Sequence, residues 1–230
     1  MISTFCRADR LALATLFQSK EETRYYLNGV FIQAAGNDGV NLVTTDGHRM
    51  AVFHDGAGLT GAPCIVPLPK IAIDIVRKRK TREFCWFGIV GEHTGTGRHE
   101  CRIFDTTDQA SELDEVRERM LDPKDRGIIW NGAIDLIDGT YPEWARVVPK
   151  QIPKNGASCH FNGKLFADFT AVAKDRNDVP SVMVYTNGNE PSLVTCGRDD
   201  FVGVLMPMQG DERALREDMR GCFTPSWLHP

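Results

Sequence analysis

The chain has 230 residues, of which 42% are hydrophobic and 25% charged; that is enough apolar material for one large domain or two small ones, and it excludes a disordered or collagen-like chain. Its 27 Lys and Arg against 31 Asp and Glu leave a formal charge of −4, which excludes a uniformly basic nucleic-acid binder but permits a local basic surface. No apolar run reaches the ~18–20 residues of a membrane helix. Met1 to Arg7 lacks the basic, apolar and small-residue order of a secretory signal, so a cytoplasmic chain without membrane contact is expected. Seven scattered cysteines with no CxxC pair argue against a zinc site and a disulfide framework, and for buried reduced thiols. No metal or cofactor is expected.

In chain order, the hydrophobic pattern says nearly the same thing three times. The first unit opens on a short apolar run at 3–6. A helix is expected over 8–20, with Leu13, Leu16 and Phe17 at helical spacing. Strand-like runs follow at 25–34 and 40–53, parted by Gly36-Asn37-Asp38-Gly39, residues that tolerate the positive φ of a tight turn. A second unit starts at 64–66 and enters a helix at Leu68 carrying Ile71, Ala72, Ile75 and Val76, then strands at 84–90 and 100–104 around a glycine-rich turn. The third repeats the order: 159–161, a helix over 164–174, then strands at 181–186, 192–196 and 202–206, with Asn187-Gly188-Asn189 as a turn. Units of strand, helix and several strands predict an α+β fold with antiparallel sheets and helices on one face. Two stretches stand outside the repeat: the acidic insertion 105–127, with a short helix capped by Ser111 and striped by Leu113, Val116 and Met120, and the tail 209–230.

Arg24-Tyr25-Tyr26-Leu27-Asn28-Gly29-Val30 and Thr45-Asp46-Gly47-His48-Arg49-Met50-Ala51-Val52 resemble the middle domain of the bacterial DNA polymerase III β sliding clamp. Residues 138–149, Asp138-Gly139-Thr140-Tyr141-Pro142-Glu143-Trp144-Ala145-Arg146-Val147-Val148-Pro149, are similar to the segment leading into that clamp's last domain, and Val204-Leu205-Met206-Pro207-Met208 to its closing strand. The resemblance covers most of residues 1–208 and implies a DNA-clamp fold: a complete domain over 1–149, a half domain over 150–208, and no counterpart of the clamp's first domain.

It also implies two sites. Arg24, Tyr25 and Tyr26 would touch DNA near the inner rim, where Arg and Tyr suit phosphate and stacking contacts. Arg77, Lys78, Arg79, Lys80 and Arg82 would meet the DNA backbone, because phosphate neutralisation needs clustered cations and no sequence readout; the plainer account is a solvated helix C-terminus. Leu27, Thr45, Gly47, His48, Arg49, Met50, Pro142, Arg146, Val147, Ser192, Val204, Leu205, Met206, Pro207 and Met208 match the family's peptide-binding cleft, although Val204 and Met206 alternate as core residues also would. Asp46 and His48 define no catalytic constellation without a nucleophile or metal cluster, so the chain is expected not to be an enzyme.

The implied function is a sliding-clamp-like replication or repair factor whose partners are double-stranded DNA, DNA polymerases or repair proteins carrying clamp-binding peptides, and a clamp loader. The alternative is a clamp-derived interaction module that binds such partners without encircling DNA. A chain of three units leaves sheet edges unpaired and predicts a homo-oligomer, either a tetrameric ring or a dimer. Phe223, Trp227 and Leu228 of the tail carry the aliphatic and aromatic groups such a cleft takes, so the tail is expected to be able to occupy it.

Overall fold

The computed structural model describes residues 1–36, 38–106, 112–150, 159–174 and 180–208. The tail 209–230, with its expected place in the cleft, and the Ser111 cap lie outside the described residues. The first unit runs β1 (Ile2–Arg7), α1 (Ala8–Ala14), β2 (Val30–Ala34), β3 (Val40–Thr45), β4 (Arg49–Asp55) and the short β5 (Leu59–Thr60). The helix stops well short of residue 20. The Thr15 hydroxyl donates to the Ala12 carbonyl at 2.8 Å, and residues 15–17 tighten into a 3-10 turn. Arg24-Tyr25-Tyr26 does not start a strand: Tyr25–Leu27 is another 3-10 turn, and the strand begins at Val30. The expected run 40–53 is two strands, because the Asp46 carboxylate accepts from the N–H groups of His48 (2.9 Å) and Arg49 (3.0 Å) while Gly47 takes a φ of 89°.

The second unit runs β6 (Cys64–Val66), α2 (Lys70–Lys78), β7 (Cys85–Val90), β8 (Gly97–Asp105), α3 (Leu113–Arg119) and β9 (Ile128–Leu136). The α2 stripe is Ala72, Ile73 and Val76; Ile71 is 63% exposed, one position off the buried face. The third unit is α4 (Gly163–Lys174), β10 (Met183–Asn187), β11 (Glu190–Thr195) and β12 (Phe201–Leu205). Residues 159–161 form no strand.

The strands make two antiparallel sheets, in the orders β5-β1-β7-β8-β9 and β10-β11-β12-β4-β3-β2-β6. Units one and two exchange their leading strands: β1 lies beside β7, and β6 beside β2. Unit three extends the second sheet, with β12 against β4 from Phe201↔Phe53 to Leu205↔Arg49. The Arg10 guanidinium pins this seam by ion pairs to Asp55 of β4 (3.0 Å) and to Asp200 beside β12 (2.8 Å).

Alternation along each strand sorts the core. Leu11, Leu13 and Phe17 pack with Val76 of α2 and Phe169 of α4 against inward residues of both sheets, such as Leu42, Phe53, Phe87 and Ile103. This is why every residue of α1 but Arg10 is buried, Asp9 included. The opposite face of the first sheet carries Phe5 stacked on Trp86 at 4.6 Å, and Val116 and Met120 of the acidic insertion cover it. So α1, α2 and α4 share one side, and α3 roofs the other. The opposite face of the second sheet is roofed by residues 137–148, and there the candidate cleft forms.

Candidate peptide cleft and basic surface

Met50 of β4 and Val204 of β12 are directly opposed across the seam, both on the face turned away from α1. With Leu27, Val43, Ile65 and Tyr141 they form an apolar floor, and Tyr141 stacks on Phe31 with ring centroids 4.6 Å apart. Above that floor is a cavity of about 270 Å³ lined by Arg24, Tyr26, Leu27, Thr45, Gly47, Arg49, Met50, Pro142, Glu143, Trp144, Val147, Val204 and Met206. Four separate segments supply it: the turn after α1, the β3–β4 turn, the stretch 142–147, and β12 with its exit.

Local chemistry fixes each wall. The Met206 N–H donates to the His48 carbonyl at 2.9 Å, which clips the β12 exit to the β3–β4 turn. A Cβ on Gly47 would stand 2.6 Å from Arg24 Nη1, so a glycine there lets the guanidinium lie against the turn. Glu21 holds Arg24 by two bonds of 2.8 and 2.7 Å; the same pairing pushes the Glu21 carboxyl below its ordinary range and the Arg24 guanidinium above its own. Arg49 is almost fully buried, with its guanidinium 5.0 Å over the Phe17 ring. It donates to the carbonyls of Leu16 and Leu165 (3.0 Å each), binds Asp46 at 3.0 Å, and pairs with Asp168 of α4. One side chain thus ties the cleft turn to the helix of unit three.

Of the fifteen residues expected in the cleft, nine line the cavity: Leu27, Thr45, Gly47, Arg49, Met50, Pro142, Val147, Val204 and Met206. The other six lie off it. His48 is exposed, Arg146 is exposed and paired with Glu143, and Met208 is 55% exposed beyond the strand. Pro207 is buried. Leu205 alternates to the helix side, and Ser192 is buried on β11, with no partner for its hydroxyl among the described residues. Glu143 and Trp144 were not anticipated, although they sit inside the same Pro142-Glu143-Trp144 run. Arg24 and Tyr26, expected at DNA, stand on the cavity wall, while Tyr25 is 53% exposed beside Tyr26.

The basic cluster divides. Arg77 and Lys78 end α2 and are exposed, as is Lys80, whereas Arg79 is paired with the buried Asp105. Arg77 and Arg82 converge with Lys174, the last residue of α4, around a recess of about 170 Å³ that also touches Asp9, Leu13, Val76 and Ala171. Lys174 was missed. Its signal was a cation ending a second helix, as Lys78 ends α2. Among the described residues no group of three or more metal-ligating side chains occurs, and no helix is long and apolar enough to cross a membrane.

Two exchanged units whose α1 and α2 pack together against the inward faces of two antiparallel sheets constitute a DNA-clamp fold, extended here by a third unit across a sheet seam. The solved structures that share it include the Pseudomonas aeruginosa DNA polymerase sliding clamp (TM-score 0.61, 18% identity, 91% of this chain and 67% of that one) and the Thermotoga maritima DNA polymerase III beta subunit (TM-score 0.57, 12% identity, 92% and 66%). The family profile of the DNA polymerase III beta subunit, central domain, matches residues 10–77. The beta sliding clamp of Escherichia coli K12 is 25% identical over 183 residues, covering 79% of this chain and 42% of its own length. That of Caulobacter vibrioides NA1000 is 45% identical over 60 residues, 24% of this chain and 16% of its own. The chain is therefore a sliding-clamp-like protein in sequence and fold, spanning less than half the length of these curated relatives.

Proposed function

We propose that the chain is a clamp-type, non-enzymatic factor of DNA replication or repair, acting in the cytoplasm, that seats partner peptides in the cavity over the β4–β12 seam. The observation that carries this reading is the cavity itself: an apolar floor of Leu27, Met50 and Val204 under a rim holding Arg24, Glu143 and Trp144. An extended peptide with aliphatic and aromatic side chains suits such a groove, and two methionines on its wall can repack around different sequences. The partners so recognised are DNA polymerases or repair proteins carrying such peptides. Duplex DNA would lie along the side bearing α2 and α4, its phosphates met by Arg77, Lys78, Lys80, Arg82 and Lys174. A loader would be needed if the assembly closes around DNA.

The test is fluorescence anisotropy with a labelled peptide containing adjacent leucine and phenylalanine, and separately with labelled duplexes of unrelated sequence. Met206→Ala and Val147→Ala should each weaken the peptide about fivefold, as truncating one well-packed contact does. Reversing the charges of Arg77, Lys78 and Lys80 should weaken every duplex alike and flatten the salt slope by about three. Peptide binding without duplex binding would favour the interaction module. Binding of neither would overturn the proposal.

A further inference from the structure

We propose that two copies of this chain associate about a twofold axis by pairing β9 of one with β9 of the other, which joins their five-stranded sheets edge to edge. The inference rests on strand order and edge chemistry and is independent of the peptide and DNA readings.

The seam inside the chain shows what a strand in this position does. The third strand after the leading helix of each unit is β4, β9 and β12 in turn. Two of them meet: β4 and β12 form an antiparallel ladder of five pairs, from Phe201↔Phe53 to Leu205↔Arg49. Side chains of the two units then pack across it, Phe17 against Phe169 with ring centroids 4.9 Å apart, and Arg49 with Asp168. β9 holds the same place in unit two. It pairs on its inner side with β8 as β4 does with β3. The chain leaves it for a clasp in which the Ile137 N–H donates to the Ile65 carbonyl of β6 at 3.0 Å, as beyond β4 the Gly61 N–H donates to the Ser3 carbonyl of β1 at 2.8 Å. Yet β9 ends its sheet, with no strand on its outer side among the described residues.

An edge strand that is to stay single is usually very short, or carries proline or lysine. The other end of this sheet is blunted in that way, since β5 has two residues. β9 has nine, Ile128–Leu136, with no proline and with Asp135 as its one charge. Its register shift against β8, where Ile103 pairs with Trp130 and Phe104 with Ile128, lies ahead of residues 131–136. The strand is also two-faced. Trp130 and Ile134 pack into the helix-side core, while Asn131 and Ala133 are exposed on the opposite face. A Cβ on Gly132 would stand 2.6 Å from Trp130 Cζ2, so the half-buried indole lies over the glycine.

These residues match a second copy of themselves. An axis through Gly132 gives residues 130–134 a ladder as long as the seam's. Trp130 of one copy then stands opposite Ile134 of the other on the helix side, and Asn131 opposite Ala133 on the exposed side. The two indoles, each over its own Gly132, meet at the axis, where an aromatic pair adds to the backbone bonds. The two Asp135 carboxylates fall at opposite ends of the ladder. The interface is isologous, the same patch serving both copies.

The experiment measures the mass of the full chain by multi-angle light scattering across the micromolar range, and the expected mass is that of two chains. The double variant Asn131→Lys and Ala133→Lys sets ammonium groups against one another about the axis at two positions exposed in the single chain. It should show the mass of one chain, an unchanged far-ultraviolet circular dichroism spectrum, and amide exchange at 130–134 about tenfold faster than in the native chain. If that variant does not fold, mild oxidation of mixed Asn131→Cys and Ala133→Cys chains decides. A disulfide should join unlike chains, whose altered positions are directly opposed, and not like ones, whose positions are two residues out of register and beyond the ~7 Å a disulfide spans. A one-chain mass for the native chain overturns the proposal, as does a two-chain mass for the folded lysine variant. A mixture that cross-links no better than either cysteine variant alone also overturns it.

Discussion

Replacing Arg49 with alanine should be among the most damaging single changes in the cleft. The residue is 8% exposed and its guanidinium serves Asp46, Asp168 and two backbone carbonyls at once, so truncation removes one charged donor from each of these four acceptors, Asp46 keeping only the backbone N–H groups of its turn. Breaking a buried ion pair costs about 3–5 kcal/mol, much of it from the uncompensated partner charge. Asp46 and Asp168 are 17% and 33% exposed, and water can recover part of that loss. The expected destabilisation is therefore about 2–4 kcal/mol. At a urea slope of about 2 kcal/mol per molar, the midpoint should fall by about 1–2 M. Arg49→Lys keeps the charge but presents one compact ammonium, which cannot reach the carbonyls of Leu16 and Leu165 while pairing two carboxylates, so it should fall between. Arg98 is the control: its partner Asp135 is 3.6 Å away and both side chains are 71% exposed, so Arg98→Ala should leave the midpoint unmoved. If Arg49→Ala shifts the midpoint no further than Arg98→Ala, the view of Arg49 as the tie between the cleft turn and α4 is refuted.

Gly47→Ala forces a side chain into a φ of 89° and against Arg24; a loss of about 1–2 kcal/mol in urea titrations is expected, together with weaker peptide binding as the guanidinium is displaced. Met120→Ala, at a fully buried site over Phe5 and Trp86, should cost about 2–5 kcal/mol; a neutral result would mean that the acidic insertion is not part of the core. Burial pushes Cys64, Cys85 and Cys101 from their ordinary 9.0 up to about 12. Between those values the unfolded chain ionises thiols that the folded chain keeps protonated, so stability should decline as pH rises from 9 towards 12. Replacing Cys64, Cys85 and Cys101 together by alanine or valine should flatten that decline in urea melts, and the native thiols should resist iodoacetamide at neutral pH.

Local chemistry was legible in the sequence wherever neighbours along the chain decide the outcome. The hairpin glycines Gly36, Gly39 and Gly188 do take positive φ, at 64°, 77° and 62°. Helix α4 begins within one residue of its expected start and ends at Lys174, because its Phe169, Val172 and Ala173 mark one face. The motif around Asp46 and Gly47 carried the resemblance, although the turn it makes was read as continuous strand. What sequence spacing could not supply was pairing between distant segments. β9 drew no expectation because, of its nine residues, only Ile134 and Leu136 are buried; Ala133 and Asp135 face solvent, and backbone bonds to β8 hold the strand in place. Residues 159–161 have the composition of a strand but form none, because a strand exists only where a partner's backbone completes its ladder. The cleft divided in the same way. Its floor, and the turning of Leu205 and Ser192 away from it, followed from alternation along β4, β11 and β12, but which loop residues reach the cavity was set by how residues 137–148 fold back over the seam. Sequence fixes which residues are apolar, charged or able to turn; which of them meet is decided when sheets from separate units join and bury one face each.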